Sequence, residues 1–360
     1  MLQQIATPVA DPFAITSAAF ADLVKNRLGK GGVHSSILYH EWWQRGTVTG
    51  SDPAFKNAPR LLEDIRSLAR FEAPNITTLQ SQGATIKFLL RTHDGLDVES
   101  VLIPMQAGTT LCVSSQVGCR LGCAFCETGR MGLIRNLTVS EITGQLFAAR
   151  HLVDADVRNI VFMGMGEPFD NYDNVIQAIR VMTDAHGGGL GPRHISVSTV
   201  GRVDGIDRLL EEADLPINLA VSVNASTDVQ RNRLMPINRR YAMDDIYNAI
   251  QRYNSQTGRH VMVAYVLLAA VNDGLDDADA LAKFLVGLDV KINLIPYNPQ
   301  SRDRYQPPPM ATIEAFKTRL HERDYQVLLR KTKGSDIMAA CGQLGNLDLR
   351  KTACRKQPVK

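Results

Sequence analysis

The chain has 360 residues, 44% of them hydrophobic and 21% charged, with a formal net charge of +3. That is enough chain to bury a large core, and the composition is that of a globular protein rather than a disordered or repetitive one. No run of eighteen apolar residues occurs, so no membrane-spanning helix is expected, and Met1 to Pro12 lacks the basic-then-apolar pattern of a signal peptide. A cytoplasmic, reducing location is the expectation.

From Pro12 to about Arg70 the apolar residues Phe13, Ile15, Phe20, Leu23, Val24, Ile37, Leu38, Trp42, Trp43, Leu61, Leu62, Ile65 and Leu68 recur at three and four. This predicts a small helical domain over residues 1–72, with Gly29, Gly31 and Gly32 parting the first two helices. Lys25, Arg27 and Lys30, with His34, His40 and Arg45 nearby, are either a phosphate-binding face or a solvated surface. Between residues 73 and 105 the period shifts to two. Thr85–Leu90 and Asp97–Ile103 flank His93-Asp94-Gly95, which predicts a β-hairpin. Glu99, among apolar neighbours on the second strand, is either solvent-facing or a buried base with a raised pKa.

Residues 112–126 read C-V-S-S-Q-V-G-C-R-L-G-C-A-F-C. Cys119, Cys123 and Cys126 have the spacing C-x3-C-x2-C on a loop fed by an apolar strand. Three thiolates can ligate three irons of a 4Fe-4S cluster. The fourth iron then stays open to a small chelating molecule. A zinc site would want a fourth ligand at short spacing, and the next histidine is His151.

Beyond this loop strand-like and helix-like runs alternate. The strands are Ile160–Met163, His194–Ser198, Ile217–Val223, Val261–Leu267 and Ile292–Ile295. Helical runs include Val139–Leu152 with Ser140 as cap, Tyr172–Asp184, Ala278–Gly287 and Ile313–Glu322. With the strand before the cysteines this makes six strands joined by crossover helices. The expected fold class is α/β, a parallel sheet curled into a partial (β/α)6 TIM-type barrel over residues 106–345, with a basic tail at 346–360.

In such barrels chemistry gathers at strand ends. There stand Gly164-Met165-Gly166-Glu167-Pro168, Ser198, Ser222-Val223-Asn224 and Asn298. The glycines serve either a turn or close approach of a ligand, and the carboxylate can receive an ammonium group. Ser198, Ser222, Val223, Asn224 and Asn298 are ordinary strand-end residues or, together, the wall of one nucleoside site. Cys112 and Cys341, taken alone, read as inert buried thiols.

Several stretches in conserved order resemble the RlmN and Cfr family of radical SAM RNA adenine methyltransferases. They are T-L-C-V-S-S-Q-V-G-C at 110–119, R-N-L-T-V-S-E-I at 135–142, G-M-G-E-P at 164–168, R-L-M-P-I-N at 233–238, N-L-I-P-Y-N-P at 293–299 and A-A-C-G-Q-L at 339–344. The resemblance implies a 4Fe-4S cluster on Cys119, Cys123 and Cys126, and S-adenosylmethionine (SAM), two per turnover. Gly166, Glu167, Ser198, Ser222, Val223, Asn224 and Asn298 fall on the SAM contacts. Cys341 falls on the cysteine that becomes S-methylated, Cys112 on its disulfide-forming partner, and Glu99 on the proton acceptor.

The implied substrate is structured RNA, 23S ribosomal RNA with transfer RNA as a further acceptor, methylated at carbon 2 of adenine. An external electron donor such as flavodoxin or ferredoxin and a monomeric state are also implied. Carbon 8, a non-ribosomal acceptor, or a catalytically silent RNA-binding protein are the alternatives. The chain departs from the family pattern at Asn224, where histidine is usual, at Met338, where aspartate is usual, at Glu127, and in the Gln300–Pro309 segment.

Overall fold

The computed structural model describes residues 10–300 and 304–345. Three helices open it: α1 (Ser17–Leu28), α2 (Gly32–Arg45) and α3 (Pro59–Leu68). Gly29, at φ +69°, ends α1 in the left-handed conformation that glycine adopts without strain. Lys25 and Arg27 lie in the last turn of α1, where their charge complements the helix dipole.

Next come β1 (Asn75–Gln82), β2 (Thr85–Arg91) and β3 (Asp97–Met105), an antiparallel meander. The expected hairpin is its second and third strands. The first, N-I-T-T-L-Q-S-Q, is an exposed edge strand without an apolar face.

β4 (Gly108–Cys112) pairs with β3 on one side and starts the parallel sheet on the other. The short strands β5 (Gln116–Val117) and β6 (Arg135–Asn136) pair across α4 (Glu127–Met131). α5 (Val139–His151) is capped by Thr138, whose hydroxyl accepts from the Glu141 N–H while Glu141 accepts from the Thr138 N–H. The cap is therefore Thr138 and not Ser140, because only Thr138 has the extended backbone that turns its hydroxyl toward the open N–H groups.

The chain then runs β7 (Val157–Phe162), α6 (Tyr172–Thr183), β8 (Ile195–Thr199), α7 (Val203–Glu211), β9 (Asn218–Ser222), α8 (Asp228–Leu234) and α9 (Met243–Thr257). It continues with β10 (Val261–Leu267), α10 (Leu275–Phe284), β11 (Val290–Pro296), α11 (Met310–His321) and β12 (Val327–Leu329).

The sheet order is β1-β2-β3-β4-β7-β8-β9-β10-β11-β12, parallel from β4 onward. The six expected strands are present, and Val327–Leu329, strand-like in sequence but outside that count, is a seventh parallel strand at the far edge. The apolar core runs without a break into the N-terminal helices: the Trp42 ring stacks on Phe147 of α5 at 4.5 Å, and Phe13 meets Phe147 edge-on at 5.0 Å. Residue 72 thus marks a change of secondary structure and no gap in packing. Among the described residues no helix is long and apolar enough to cross a membrane. The basic tail at 346–360 lies outside them.

Candidate active site

The cysteine loop follows β4 directly. At Gly118 φ is +78°, and a Cβ there would stand 1.9 Å from the Gly132 carbonyl oxygen, so only glycine lets the chain turn Cys119 inward. Cys119 and Cys123 are buried and Cys126 is half-buried. Burial pushes the Cys119 thiol up to about 12, the Cys123 thiol well above its usual value, and Cys126 upward too. Three thiols that resist ionisation fit a ligand that brings its own positive charge.

Around a tetrahedral zinc with Zn–S of ~2.3 Å, sulfurs sit about 3.8 Å apart. Among the described residues, the trio of ligand-type atoms gathered within 4.8 Å is His93, Asp94 and Glu141. Among the described residues Cys119, Cys123 and Cys126 do not form a group that tight. The His93 trio is already filled by Arg135, which pairs with Asp94 and with Glu141 at 2.8 Å.

A cleft opens where the parallel strands end, walled by Cys123, Cys126, Gly166, Glu167, Ser198, Ser222, Asn224, Asn298 and Cys341. Six of the seven residues implied as SAM contacts thus converge with two cluster cysteines. Val223 lies behind the wall: its N–H donates to the Ala264 carbonyl at 3.0 Å and its side chain joins the apolar core.

The roles of individual atoms differ from what spacing suggested. A Cβ on Gly164 would meet the Val113 carbonyl oxygen at 2.7 Å, and one on Gly166 would meet Gln116 Cβ at 2.6 Å. These glycines let the strand ends close onto the cysteine-bearing segment, a requirement separate from any ligand. Both carboxylate oxygens of Glu167 accept backbone N–H groups, from Phe169 at 3.1 Å and Val200 at 2.9 Å. Burial nevertheless drives its pKa up to about 7, the N–H groups only partly offsetting it.

Asn224 has φ +56°, a conformation asparagine tolerates better than most residues. Its Oδ1 accepts the Val266 N–H at 2.8 Å and its Nδ2 rests 3.3 Å from the Met235 sulfur. Asn298 donates from Nδ2 to the Cys341 carbonyl at 3.0 Å and accepts from the Thr332 hydroxyl at 2.9 Å.

Cys341 is carried on an irregular segment laid between the meander and the cysteine loop. On the meander side, Asp336 exchanges hydrogen bonds with the Gln82 amide, Lys333 reaches the Pro104 carbonyl, and Lys87 donates to the Met338 carbonyl at 3.3 Å. On the other side the Glu127 N–H donates to the Gly342 carbonyl at 2.8 Å, and the Thr128 hydroxyl donates to that of Leu344. Cys112, at the end of β4, packs with Val101, Ala339 and Leu344 on the sheet's inner face.

Burial raises the Cys112 thiol to about 12, with Cys341 adding to the rise and Arg330 opposing it, so the three groups are neighbours. Both thiols are free. Glu99 shares this face. It is buried, its pKa is raised by desolvation, and the Lys87 ammonium 3.4 Å away opposes that rise. The sequence had left Glu99 open, and the structure makes it the buried one of the two possibilities.

Arg231 and Lys87 were not singled out from the sequence. Arg231 is 0% exposed, and its guanidinium donates to the carbonyls of Val200, Ser222 and Val223 and to Asn238 Oδ1. The one local signal was an arginine two residues ahead of R-L-M-P-I-N.

Residues 113–285 match the Radical SAM superfamily. A probable dual-specificity RNA methyltransferase RlmN 1 of Protochlamydia amoebophila is 55% identical over 343 residues, covering 95% of this chain and 95% of its own. The dual-specificity RNA methyltransferase RlmN of Geobacter sulfurreducens is 41% identical, covering 93% of this chain and 92% of its own. A solved radical SAM methyltransferase from Sphaerobacter thermophilus superposes with a TM-score of 0.85 at 37% identity, covering 93% of this chain and 99% of that one.

Fold, cysteine loop and these matches define a SAM-dependent radical methyltransferase. More narrowly, the chain belongs to the RlmN family of RNA methyltransferases. A 4Fe-4S cluster, SAM and an RNA substrate come with that membership.

Proposed function

We propose that this enzyme methylates carbon 2 of an adenine in structured RNA, with 23S ribosomal RNA and transfer RNA as acceptors, by way of an S-methylated Cys341. The observation that carries the reading is that Cys341 lines the same cleft as Cys123 and Cys126, with Cys112 close behind it. The dual-specificity named for the relatives supports two RNA classes.

An adenine C–H carbon is no nucleophile, so direct attack on a SAM methyl group is closed to it. Held by Cys119, Cys123 and Cys126, the cluster would supply the electron that cleaves SAM to a 5'-deoxyadenosyl radical. Electrons would come from an external donor such as a flavodoxin or ferredoxin. Glu167 would receive the SAM ammonium group, which returns a carboxylate destabilised by burial to its ionised form.

Cys341 takes a methyl group on sulfur from one SAM and, after hydrogen abstraction driven by a second, presents that carbon to the base. Cys112 then attacks the Cys341 sulfur, so that an S–S bond forms as the carbon–sulfur bond to the base breaks; the released carbon takes a proton from solvent, and the one unpaired electron left by radical addition would return to the metal centre. Glu99 accepts the ring proton, its basicity raised by burial and its ionised form sustained by Lys87.

The test is to incubate the reduced, reconstituted enzyme with ribosomal RNA, and separately with transfer RNA, in the presence of SAM bearing a trideuterated methyl group. The digested RNA is then read by chromatography and mass spectrometry. The reading expects 2-methyladenosine carrying two deuterium atoms. A methyl group with all three deuterium atoms would overturn the route through Cys341, and 8-methyladenosine would overturn the carbon assignment.

A further inference from the structure

We propose that Arg231 is the fixed counter-charge of the metal centre, a buried cation behind Cys123 that holds the anionic cluster and favours its reduction. The inference rests on reading Cys119, Cys123 and Cys126 as the cluster ligands. It starts from an imbalance. Burying a charge is costly unless another charge meets it. Arg231 is wholly buried, yet its four acceptors are the neutral oxygens of Val200, Ser222, Val223 and Asn238, and it forms no ion pair among the described residues.

Two acidic groups lie near enough to act on it, Cys123 first and then Asp228. Asp228 is engaged elsewhere: its Oδ1 accepts from Asn238 Nδ2 at 2.7 Å and from the Met243 N–H at 3.0 Å. Cys123 as a neutral thiol leaves the buried guanidinium without a compensating charge. A ligated thiolate does compensate.

The geometry ties the two together. The Ala124 N–H donates to the Leu234 carbonyl at 2.9 Å, clipping the cysteine loop to the end of the helix that carries Arg231. The cation and the loop therefore keep a fixed relation. Three of these hydrogen bonds, to Val200, Ser222 and Val223, gather the ends of β8 and β9, where the cleft wall begins. Three thiolates on a doubly charged 4Fe-4S core leave one negative charge, which becomes two when the core accepts an electron from a one-electron donor. A cation locked nearby in a low-dielectric wall favours the more negative state. A unit charge at roughly 10 Å, through an effective dielectric of ~20, changes such an equilibrium about tenfold. For one electron that is ~59 mV.

The competing account is purely architectural, with Arg231 serving only to tie strand ends together. Arg231→Lys keeps the charge and loses the hydrogen-bonding fork, while Arg231→Gln loses the charge and keeps part of the hydrogen bonding, so the two variants separate the accounts.

Wild type and both variants are reconstituted anaerobically with iron and sulfide, assayed for iron, and titrated with dithionite while the reduced cluster is followed by electron paramagnetic resonance. Iron-free and loaded forms are melted in parallel. The counter-charge account expects R231Q to be about tenfold less reduced than wild type at a fixed potential, with R231K close to wild type. It also expects loading to raise the melting temperature of wild type more than that of R231Q. Equal potentials in all three proteins would overturn it. So would iron-free R231Q failing to fold, or both variants losing stability equally in iron-free and loaded forms. Wild type that takes up no cluster would instead refute the reading of the cysteines.

Discussion

Glu167 makes the iron-free protein lose stability as pH rises through neutrality, and the size of the effect follows from its surroundings. The side chain is 2% exposed, and burial lifts its pKa from 4.5 to about 7. A carboxyl group whose folded pKa exceeds its unfolded one binds more protons when folded. Its contribution is therefore complete below pH 4.5, declines as pH rises, and is gone above about 7. The rise corresponds to on the order of 3 kcal/mol.

Glu167→Gln removes the titration. It also turns an amide NH2 toward the N–H of either Phe169 or Val200, a mismatch of about 1–3 kcal/mol that does not vary with pH. Urea unfolding of the iron-free proteins at pH 5 and pH 8, fitted with a common slope, separates the two effects. Wild type should lose about 2.5 kcal/mol more than E167Q between those pH values, on top of a constant offset between the proteins. Parallel pH profiles would refute the claim that Glu167 is held against its own ionisation. If SAM's ammonium group is the missing partner, SAM should bind the loaded enzyme more tightly as pH rises toward 7, with proton release.

Cys341→Ala should load iron normally and transfer no methyl group, whereas Cys112→Ala should leave RNA covalently attached to the protein, visible as a shifted band that survives denaturation. Gly118→Ala forces a left-handed alanine and a Cβ onto the Gly132 oxygen; a loss of at least ~3 kcal/mol and poor iron uptake are expected, read by melting and iron assay. Lys87→Met strips Glu99 of its cation and should cost about 3–5 kcal/mol where Glu99 is ionised. Because Glu99 already titrates high, that deficit should grow with pH in urea melts, and Glu99→Gln added to K87M should abolish the growth.

What could be read from the sequence was what is local along it. Cys119, Cys123 and Cys126 lie within eight positions, and their spacing on a loop is itself the chemical signal. Glu167 stood out because it follows two glycines at a strand end. The glycines' own reason was hidden, since the groups they avoid, Val113, Ser114 and Gln116, are some fifty residues away. Arg231 looks like any helix arginine until strands β8 and β9 deliver three carbonyls to it. Lys87 sits in T-I-K-F-L-L, where alternation marks it as the polar face of a strand. That face turns inward because the meander closes over the Cys341 segment, and its carboxylate partner arrives from β3. β1 is not singled out as a strand because an exposed edge strand needs no apolar face, and the alternation of apolar residues that marks β2 and β3 is missing from it.

The meander therefore has a task that a linker would not. β1, β2 and β3 supply Gln82, Lys87 and the Pro104 carbonyl to a C-terminal segment that has almost no regular structure of its own. From the opposite side the loop ahead of α4 supplies the Phe125 carbonyl to Gln300, and α4 itself binds Gly342 and Leu344. With Asn298 fixing its own carbonyl, Cys341 has a backbone pinned from both sides. Its sulfur retains the freedom of a single side-chain torsion. The proposed route asks this thiol to face the cleft when it receives a carbon and to meet Cys112 later, and rotation about that bond is the motion its pinned backbone leaves open. The chemistry proposed for Cys341 thus asks for a rigid segment with one loose atom, and the two sets of tethers provide it.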